Sequence, residues 1–136
     1  MNVAKKILIV DDDEDVILFL TTVLQDKGYK AVHALNGRRG LEVAKAESPE
    51  LILLDLMMPQ KSGISLLADL KKDAKLKKIP VIMITGVSGE TGIDLELFFR
   101  KDEETGMETT SPRPDGYLEK PVDVGELIRL IEEFLG

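Results

Sequence analysis

Residues 7–13 read Ile7-Leu8-Ile9-Val10-Asp11-Asp12-Asp13, four apolar residues followed directly by three acidic ones. The same pattern of four apolar residues followed by a polar one recurs at residues 51–54, which precede Asp55, and at residues 81–84, which precede Thr85. Uninterrupted apolar runs of this length are typical of parallel strands that helices cover on both faces. We therefore predict three central strands, each with polar residues at its carboxyl end.

Amphipathic segments separate these runs. Residues 14–27 predict a helix that stops at Gly28, which can adopt a left-handed conformation. Its apolar stripe comprises Val16, Phe19, Leu20, Val23 and Leu24. Residues 124–135 predict a second amphipathic helix. Residues 38–46 predict a poorer one, because Gly40 costs about 1 kcal/mol relative to alanine.

Two weaker strand candidates, residues 31–35 and 117–118, complete the alternation of strands and helices. Such alternation is typical of βαβ units and a parallel sheet. We predict an α/β fold: a doubly wound five-stranded parallel sheet in the flavodoxin-like order 2-1-3-4-5. About five helices cover the sheet, which makes a three-layer sandwich.

Composition narrows the class of protein. The 136 residues predict one domain spanning residues 1–136. A net charge of −7 argues against direct DNA binding, because a negative protein repels phosphate backbones. Without cysteine, and with His33 as the only histidine, thiolate metal sites and multi-histidine sites are excluded. No apolar stretch approaches the length of a membrane span or of a signal peptide core, so we expect a cytoplasmic protein.

The polar residues at the predicted strand ends form the candidate site. Ligands of open parallel sheets bind beyond the carboxyl ends of the strands, and the predicted order brings Asp11, Asp12, Asp55, Thr85 and Lys120 to one edge. Two carboxylates about 5 Å apart repel by roughly 3 kcal/mol at an effective dielectric near 20. Mg²⁺ would relieve this repulsion and suits an oxygen-only site. We predict Asp55 as a nucleophile that forms an aspartyl phosphate, Asp11 and Asp12 as metal ligands, and Lys120 and Thr85 as phosphoryl-binding groups.

Taken together, these residues resemble the receiver domain of two-component response regulators, and within that family the chemotaxis-type receivers that consist of a single domain. Any one of the matching motifs is weak, but the four occur in the family's order along nearly the whole chain. They are Ile7-Leu8-Ile9-Val10-Asp11-Asp12, Leu53-Leu54-Asp55-Leu56-Met57-Met58-Pro59, Met83-Ile84-Thr85-Gly86 and Tyr117-Leu118-Glu119-Lys120-Pro121.

The resemblance implies a phosphorylation-dependent signalling switch. Asp55 would accept a phosphoryl group from a sensor histidine kinase or a phosphotransfer protein. Mg²⁺ would be bound by Asp12, Asp55 and the main-chain carbonyl of Met57, with Asp11 contributing through water.

The resemblance also implies how the signal leaves the site. Thr85 and Tyr117 would be the switch pair that changes a partner-binding face, and the Lys120–Pro121 bond would be cis. The output partner is unknown, and we expect no attached output domain. The protein would catalyse only its own phosphoryl transfer and a slow dephosphorylation, because Met57 and Val87 cannot orient a water molecule.

One region departs from the family. The connection from Thr85 to Lys120 is longer than usual by roughly a dozen residues, and loops this long are usually functional or disordered. We expect an extended segment at about residues 87–115, with a helix at residues 93–99 favoured over a strand. This segment forms either a specialised docking face or a passive insertion.

Two other functions remain open. A phosphatase of the haloacid-dehalogenase type also uses an aspartate nucleophile and Mg²⁺, and Asp11 and Asp13 have the spacing of its catalytic pair. That function leaves Asp55 unexplained. A phosphorylation-independent, receiver-like binding module is the third possibility.

Overall fold

The computed structural model describes residues 4–56, 63–85 and 114–136. Their strands form one parallel sheet in the order β2-β1-β3-β4-β5, which confirms the predicted topology. The strands are β1 (Lys6–Val10), β2 (Lys30–Ala34), β3 (Leu51–Asp55), β4 (Val81–Thr85) and β5 (Gly116–Glu119).

Four α-helices lie within these described ranges, and none of them has the length and apolar character needed to cross a bilayer. They are α1 (Glu14–Asp26), α2 (Gly37–Glu47), α3 (Gly63–Lys72) and α4 (Val124–Leu135), and a short 3-10 helix (Leu76–Lys78) precedes β4. The helix predicted at residues 93–99 lies outside the described residues.

The sheet is covered on both faces, which confirms the three-layer sandwich. On one face, α2 and α3 pack against strand residues that include Leu8, Val10, Ile52, Leu54 and Met83. On the other face, α1 and α4 pack against Ile7, Ile9, Leu51, Leu53, Ile82 and Ile84. Strand residues alternate between the two faces, so continuous apolar runs are needed to build both cores.

Residues at the two ends of helix α1 determine where it begins and where it ends. Asp13 caps its N-terminus, since the Asp13 carboxylate accepts a hydrogen bond from the Asp15 amide. Gly28 follows its C-terminal end with a φ of 88°, the left-handed conformation predicted for it. The buried residues are Ile17, Leu20 and Leu24, whereas the Phe19 side chain is 45% exposed. The predicted stripe was therefore wrong at Phe19, because Ile17 rather than Phe19 faces the sheet.

Gly40 has a packing role that its helix propensity did not reveal. A Cβ atom at this position would lie 3.0 Å from Leu66 Cδ2 and 3.1 Å from both methyl groups of Val10. Glycine therefore allows α2 to approach β1 and α3 closely. This tertiary packing explains why α2 forms over its full length despite the poor propensity of Gly40.

Candidate functional site

The sheet brings four of the predicted site residues to one edge. Asp11 directly follows β1, Asp55 is the last residue of β3, Thr85 is the last residue of β4, and Lys120 directly follows β5. The parallel register aligns these strand ends, for example by pairing Asp55 with Ile84. The site therefore arises from the sheet topology itself.

Three carboxylates converge at this edge. Asp11, Asp12 and Asp55 each offer a carboxylate oxygen, and these oxygens lie within 4.8 Å of one another. The burial of the three differs: Asp11 is 1% exposed and Asp55 is 4% exposed, whereas Asp12 faces solvent. Buried carboxylates at such distances repel strongly unless a cation lies among them.

Lys120 supplies one positive charge. Its Nζ atom lies 3.1 Å from Asp11 Oδ2 and 3.6 Å from Asp55 Oδ1, so it forms ion pairs with both buried carboxylates. Partial burial alone would lower the pKa of Lys120, but the negative charges of Asp55 and Asp11 outweigh this effect and raise it. The ammonium group therefore stays charged. The Lys120–Pro121 peptide bond is cis, as the resemblance implies.

The donor set fits a hard divalent cation. Asp11 Oδ2 is buried, and the Lys120 ammonium lies 3.1 Å from it. Among the residues that the structure describes, three carboxylates face the one ammonium of Lys120, which leaves negative charge at the site. Oxygen-only ligands on one open edge are the set that Mg²⁺ prefers.

Backbone hydrogen bonds hold the acidic side chains in place. The Asp11 amide donates to the Ala34 carbonyl at 3.1 Å, and Asp11 Oδ1 accepts from the Asp13 amide at 2.9 Å. The chain leaving β3 is held in the same way, since the Leu56 amide donates to the Ile84 carbonyl at 3.0 Å. The carboxylates are therefore placed before any ligand arrives.

Gly63 is a site residue that the sequence analysis missed. At the start of α3, its amide donates to the Leu56 carbonyl at 2.9 Å. A Cβ atom here would lie 2.3 Å from the Asp55 carbonyl oxygen, which is a severe clash. Only glycine permits this approach of α3 to the Asp55 backbone. A glycine eight residues beyond the strand-end aspartate was the available signal, but its meaning depends on the return path of the chain.

The remaining predicted site residues are only partly described. Tyr117 is half-buried and packs against the core beneath α2 and α3, beside its β4 neighbour Met83. The backbone of Thr85 pairs with Glu119, but the Thr85 side chain is not among the described parts. Met57 and most of the segment predicted at about residues 87–115, including Val87, lie outside the described residues.

The family model described as the response regulator receiver domain matches residues 7–96. Protein PilH of Pseudomonas aeruginosa is 34% identical over 130 residues, which are 96% of this chain and 97% of PilH. The polar-differentiation response regulator DivK of Brucella anthropi is 30% identical over 132 residues, 97% of each chain.

A solved structure confirms the likeness in fold. The receiver domain of a sensor histidine kinase from Pseudomonas aeruginosa, crystallised with a magnesium ion in its active-site cleft, superposes with a TM-score of 0.78. The two proteins are 20% identical, and the match covers 97% of this chain and 98% of the other.

Proposed function

This chain belongs to the response regulator receiver domain family, and we propose that Asp55 accepts a phosphoryl group from a histidine kinase or a phosphotransfer protein. Receiver domains act as phosphorylation-dependent switches in two-component signalling. The observation that carries the proposal is the placement of Lys120, whose ammonium lies between the buried carboxylates of Asp11 and Asp55. A lysine in this position can offset negative charge on the phosphoryl oxygens as the bond to Asp55 forms.

The proposed reaction transfers a phosphoryl group to Asp55. A carboxylate oxygen of Asp55 attacks the phosphorus of a phosphohistidine, and an O–P bond forms as the P–N bond breaks. The electron pair of the P–N bond returns to the imidazole nitrogen of the donor, which takes up a proton. Lys120 and the Thr85 hydroxyl would stabilise the phosphoryl oxygens by charge and by hydrogen bonding, respectively.

We propose Mg²⁺ as the cofactor, held by Asp12, Asp55 and the Met57 carbonyl, with Asp11 acting through water. The burial of Asp11 and Asp55 and the excess of three carboxylates over the Lys120 ammonium among the described residues support this assignment. When bound, the ion would supply positive charge that screens the approach of a phosphoryl group to an anionic nucleophile.

The proposed output is a change in a partner-binding face, with Thr85 and Tyr117 as the switch pair. The packing of Tyr117 at the edge of the core supports this role, because a half-buried ring at a sheet edge can move without opening the core. We propose the cytoplasm as the compartment. The partner is a protein that remains to be identified, and we propose no direct contact with DNA or membrane.

We also propose that residues 1–136 form one receiver domain with an extended segment at about residues 87–115. The family match ends at residue 96, inside that segment, whereas β5 and α4 lie beyond it and complete the sandwich. We propose that the segment, with Leu97, Phe98, Phe99 and the residues around Pro112, supplies a docking face. Deleting residues 104–113 is expected to weaken partner binding without preventing phosphorylation.

The decisive experiment uses a small phosphodonor. The protein is incubated with acetyl phosphate and Mg²⁺, and mass spectrometry locates the modified residue. We expect one phosphoryl group on Asp55 and none in an Asp55→Asn variant. Unmodified Asp55 in the wild type would overturn the proposal.

The alternative functions predict different outcomes. Continuous turnover of a generic phosphate ester would favour a phosphatase. The Asp13 carboxylate, however, caps α1, which accounts for this residue without a catalytic role. We propose instead that the protein catalyses only its own phosphorylation and slow dephosphorylation. Partner binding that persists unchanged in Asp55→Ala without phosphate would favour a phosphorylation-independent binding module.

A further inference from the structure

A compact set of contacts lies at the end of the sheet opposite the acidic site. Asp115, which directly precedes β5, donates its amide to the Val81 carbonyl at 2.7 Å. Its carboxylate oxygen Oδ2 accepts a hydrogen bond from the Val81 amide at 2.8 Å. Both polar backbone groups of Val81, the first residue of β4, are therefore engaged by one residue.

Lys71 joins the same carboxylate from α3. Its Nζ atom lies 3.0 Å from Asp115 Oδ2 and 3.5 Å from the Ile79 carbonyl. The ammonium thus links the C-terminal turn of α3 to the start of both β4 and β5. We call Lys71, Val81 and Asp115 the clamp.

Strand β5 is short and lies at an edge of the sheet. It has four residues, begins with glycine and, among the described strands, pairs with β4 alone. It follows a connection that starts at residue 86, and so long a connection cannot set register as a tight turn does. Leu118 is the only fully buried residue of the strand. Its burial opposes a slip by one residue, which would turn Leu118 to the other face of the sheet.

Register decides where Lys120 lies. A slip of β5 by two residues would move Lys120 by about 6.6 Å along the strand direction. Its ammonium now lies 3.1 Å from Asp11 and 3.6 Å from Asp55, so this shift would break both ion pairs. We propose that the clamp fixes the register of β5 and thereby delivers Lys120 to the acidic site. Asp115 is then a positioning residue for phosphoryl acceptance, an inference that rests on the proposed function.

Hydrogen exchange tests the clamp without phosphoryl chemistry. In Asp115→Ala we expect the β5 amides to exchange about tenfold faster, which corresponds to about 1.4 kcal/mol. The matched control is Glu47→Ala, which removes a similar ion pair with Lys6 at 3.3 Å. The two pairs have similar side-chain exposure, 23% and 40% for Lys6 and Glu47 against 20% and 37% for Lys71 and Asp115. Equal β5 exchange in both variants would overturn the proposal.

A double-mutant cycle tests whether Asp115 acts through Lys120. At saturating Mg²⁺ we expect Asp115→Ala to slow phosphorylation by acetyl phosphate at least threefold, relative to Glu47→Ala. The same change made in a Lys120→Met background should slow it no further, because the group being positioned is already absent. Independent, multiplicative effects of the two substitutions would contradict a positioning role.

Two further variants keep the test informative if Asp115→Ala fails to fold. Asp115→Asn retains an acceptor for the Val81 amide and should restore most of the wild-type rate, whereas Lys71→Met should give an intermediate loss of β5 protection. β5 exchange in Lys71→Met equal to that of the Glu47→Ala control would also overturn the proposal. A wild-type protein that is not phosphorylated would refute the proposed function, and the exchange measurements would still decide whether the clamp fixes β5.

Discussion

Replacing Asp55 with asparagine should stabilise the protein when no divalent cation is present. The substitution keeps the size of the side chain and removes one negative charge from the acidic cluster. The carboxylate oxygens of Asp11, Asp12 and Asp55 lie within 4.8 Å of one another. At an effective dielectric near 20, each pair at that separation repels by about 3.5 kcal/mol, so Asp55 carries about 7 kcal/mol of repulsion.

Attraction to Lys120 offsets only part of this repulsion. At 3.6 Å and the same dielectric, the ion pair between Lys120 and Asp55 contributes about 4.6 kcal/mol. The difference of about 2.4 kcal/mol is reduced because Asp12 faces solvent, which screens its charge. We therefore expect Asp55→Asn to raise the free energy of unfolding by about 1–2 kcal/mol, which raises the melting temperature by about 3–7 °C at this chain length.

The assay is denaturant unfolding followed by circular dichroism, first with a chelator and then with Mg²⁺. Mg²⁺ at a hundred times its dissociation constant should stabilise the wild type by about 2.7 kcal/mol, and the variant much less because it has lost a ligand. The order of stability should therefore reverse when Mg²⁺ is added. Asp26→Asn makes the same change in net charge at an exposed position and should change stability by less than about 0.5 kcal/mol. A variant less stable than the wild type in chelator, or equally stabilised by Mg²⁺, would refute this reasoning.

Three further predictions concern residues around the site and on the surface. Gly63→Ala should destabilise the fold by at least about 2 kcal/mol in thermal unfolding, because its Cβ atom would clash with the Asp55 carbonyl. Asp73 accepts hydrogen bonds from two backbone amides of the next turn, which lower its pKa below the usual value of an aspartate. Asp73→Asn should therefore be less stable than the wild type at neutral pH. The difference in the free energy of unfolding between the two proteins should disappear as the pH falls from about 4 through the lower pKa of Asp73 in the folded state. A difference that does not depend on pH would contradict this prediction. Met57→Asn should shorten the lifetime of the aspartyl phosphate, measured by loss of the label, since an amide can orient water where a thioether cannot.

The sequence predicted the parts of the fold that depend on local pattern. Continuous apolar runs identified β1, β3 and β4, because a strand buried on both faces cannot alternate with polar residues. Asp11, Asp55 and Lys120 were placed together because parallel topology brings the carboxyl ends of strands to one edge. Phe19 was misplaced because several neighbouring apolar residues define a stripe wider than the buried face.

Close approaches between segments could not be predicted in the same way. The roles of Gly40 and Gly63 depend on which atoms of another segment lie within about 3 Å of the position that a Cβ atom would occupy. A propensity scale assigns glycine a helix penalty at both places, whereas the fold uses the missing side chain to pack α2 and α3 more closely. The sequence shows where each glycine lies, but it does not show which segment of the folded chain packs against that glycine.

Lys120 illustrates how a predicted site residue depends on an unpredicted contact. Its identity follows from the sequence, but its position depends on the register of a short edge strand that follows a long connection. Asp115 is separated from Val81 by more than thirty residues of sequence, and Lys71 lies on a different helix, so no local pattern joins them. Under the proposed roles of Asp55 and of the clamp, phosphoryl acceptance requires two sets of contacts at opposite ends of β5. A change at the clamp can impair the site while every residue at the site remains intact.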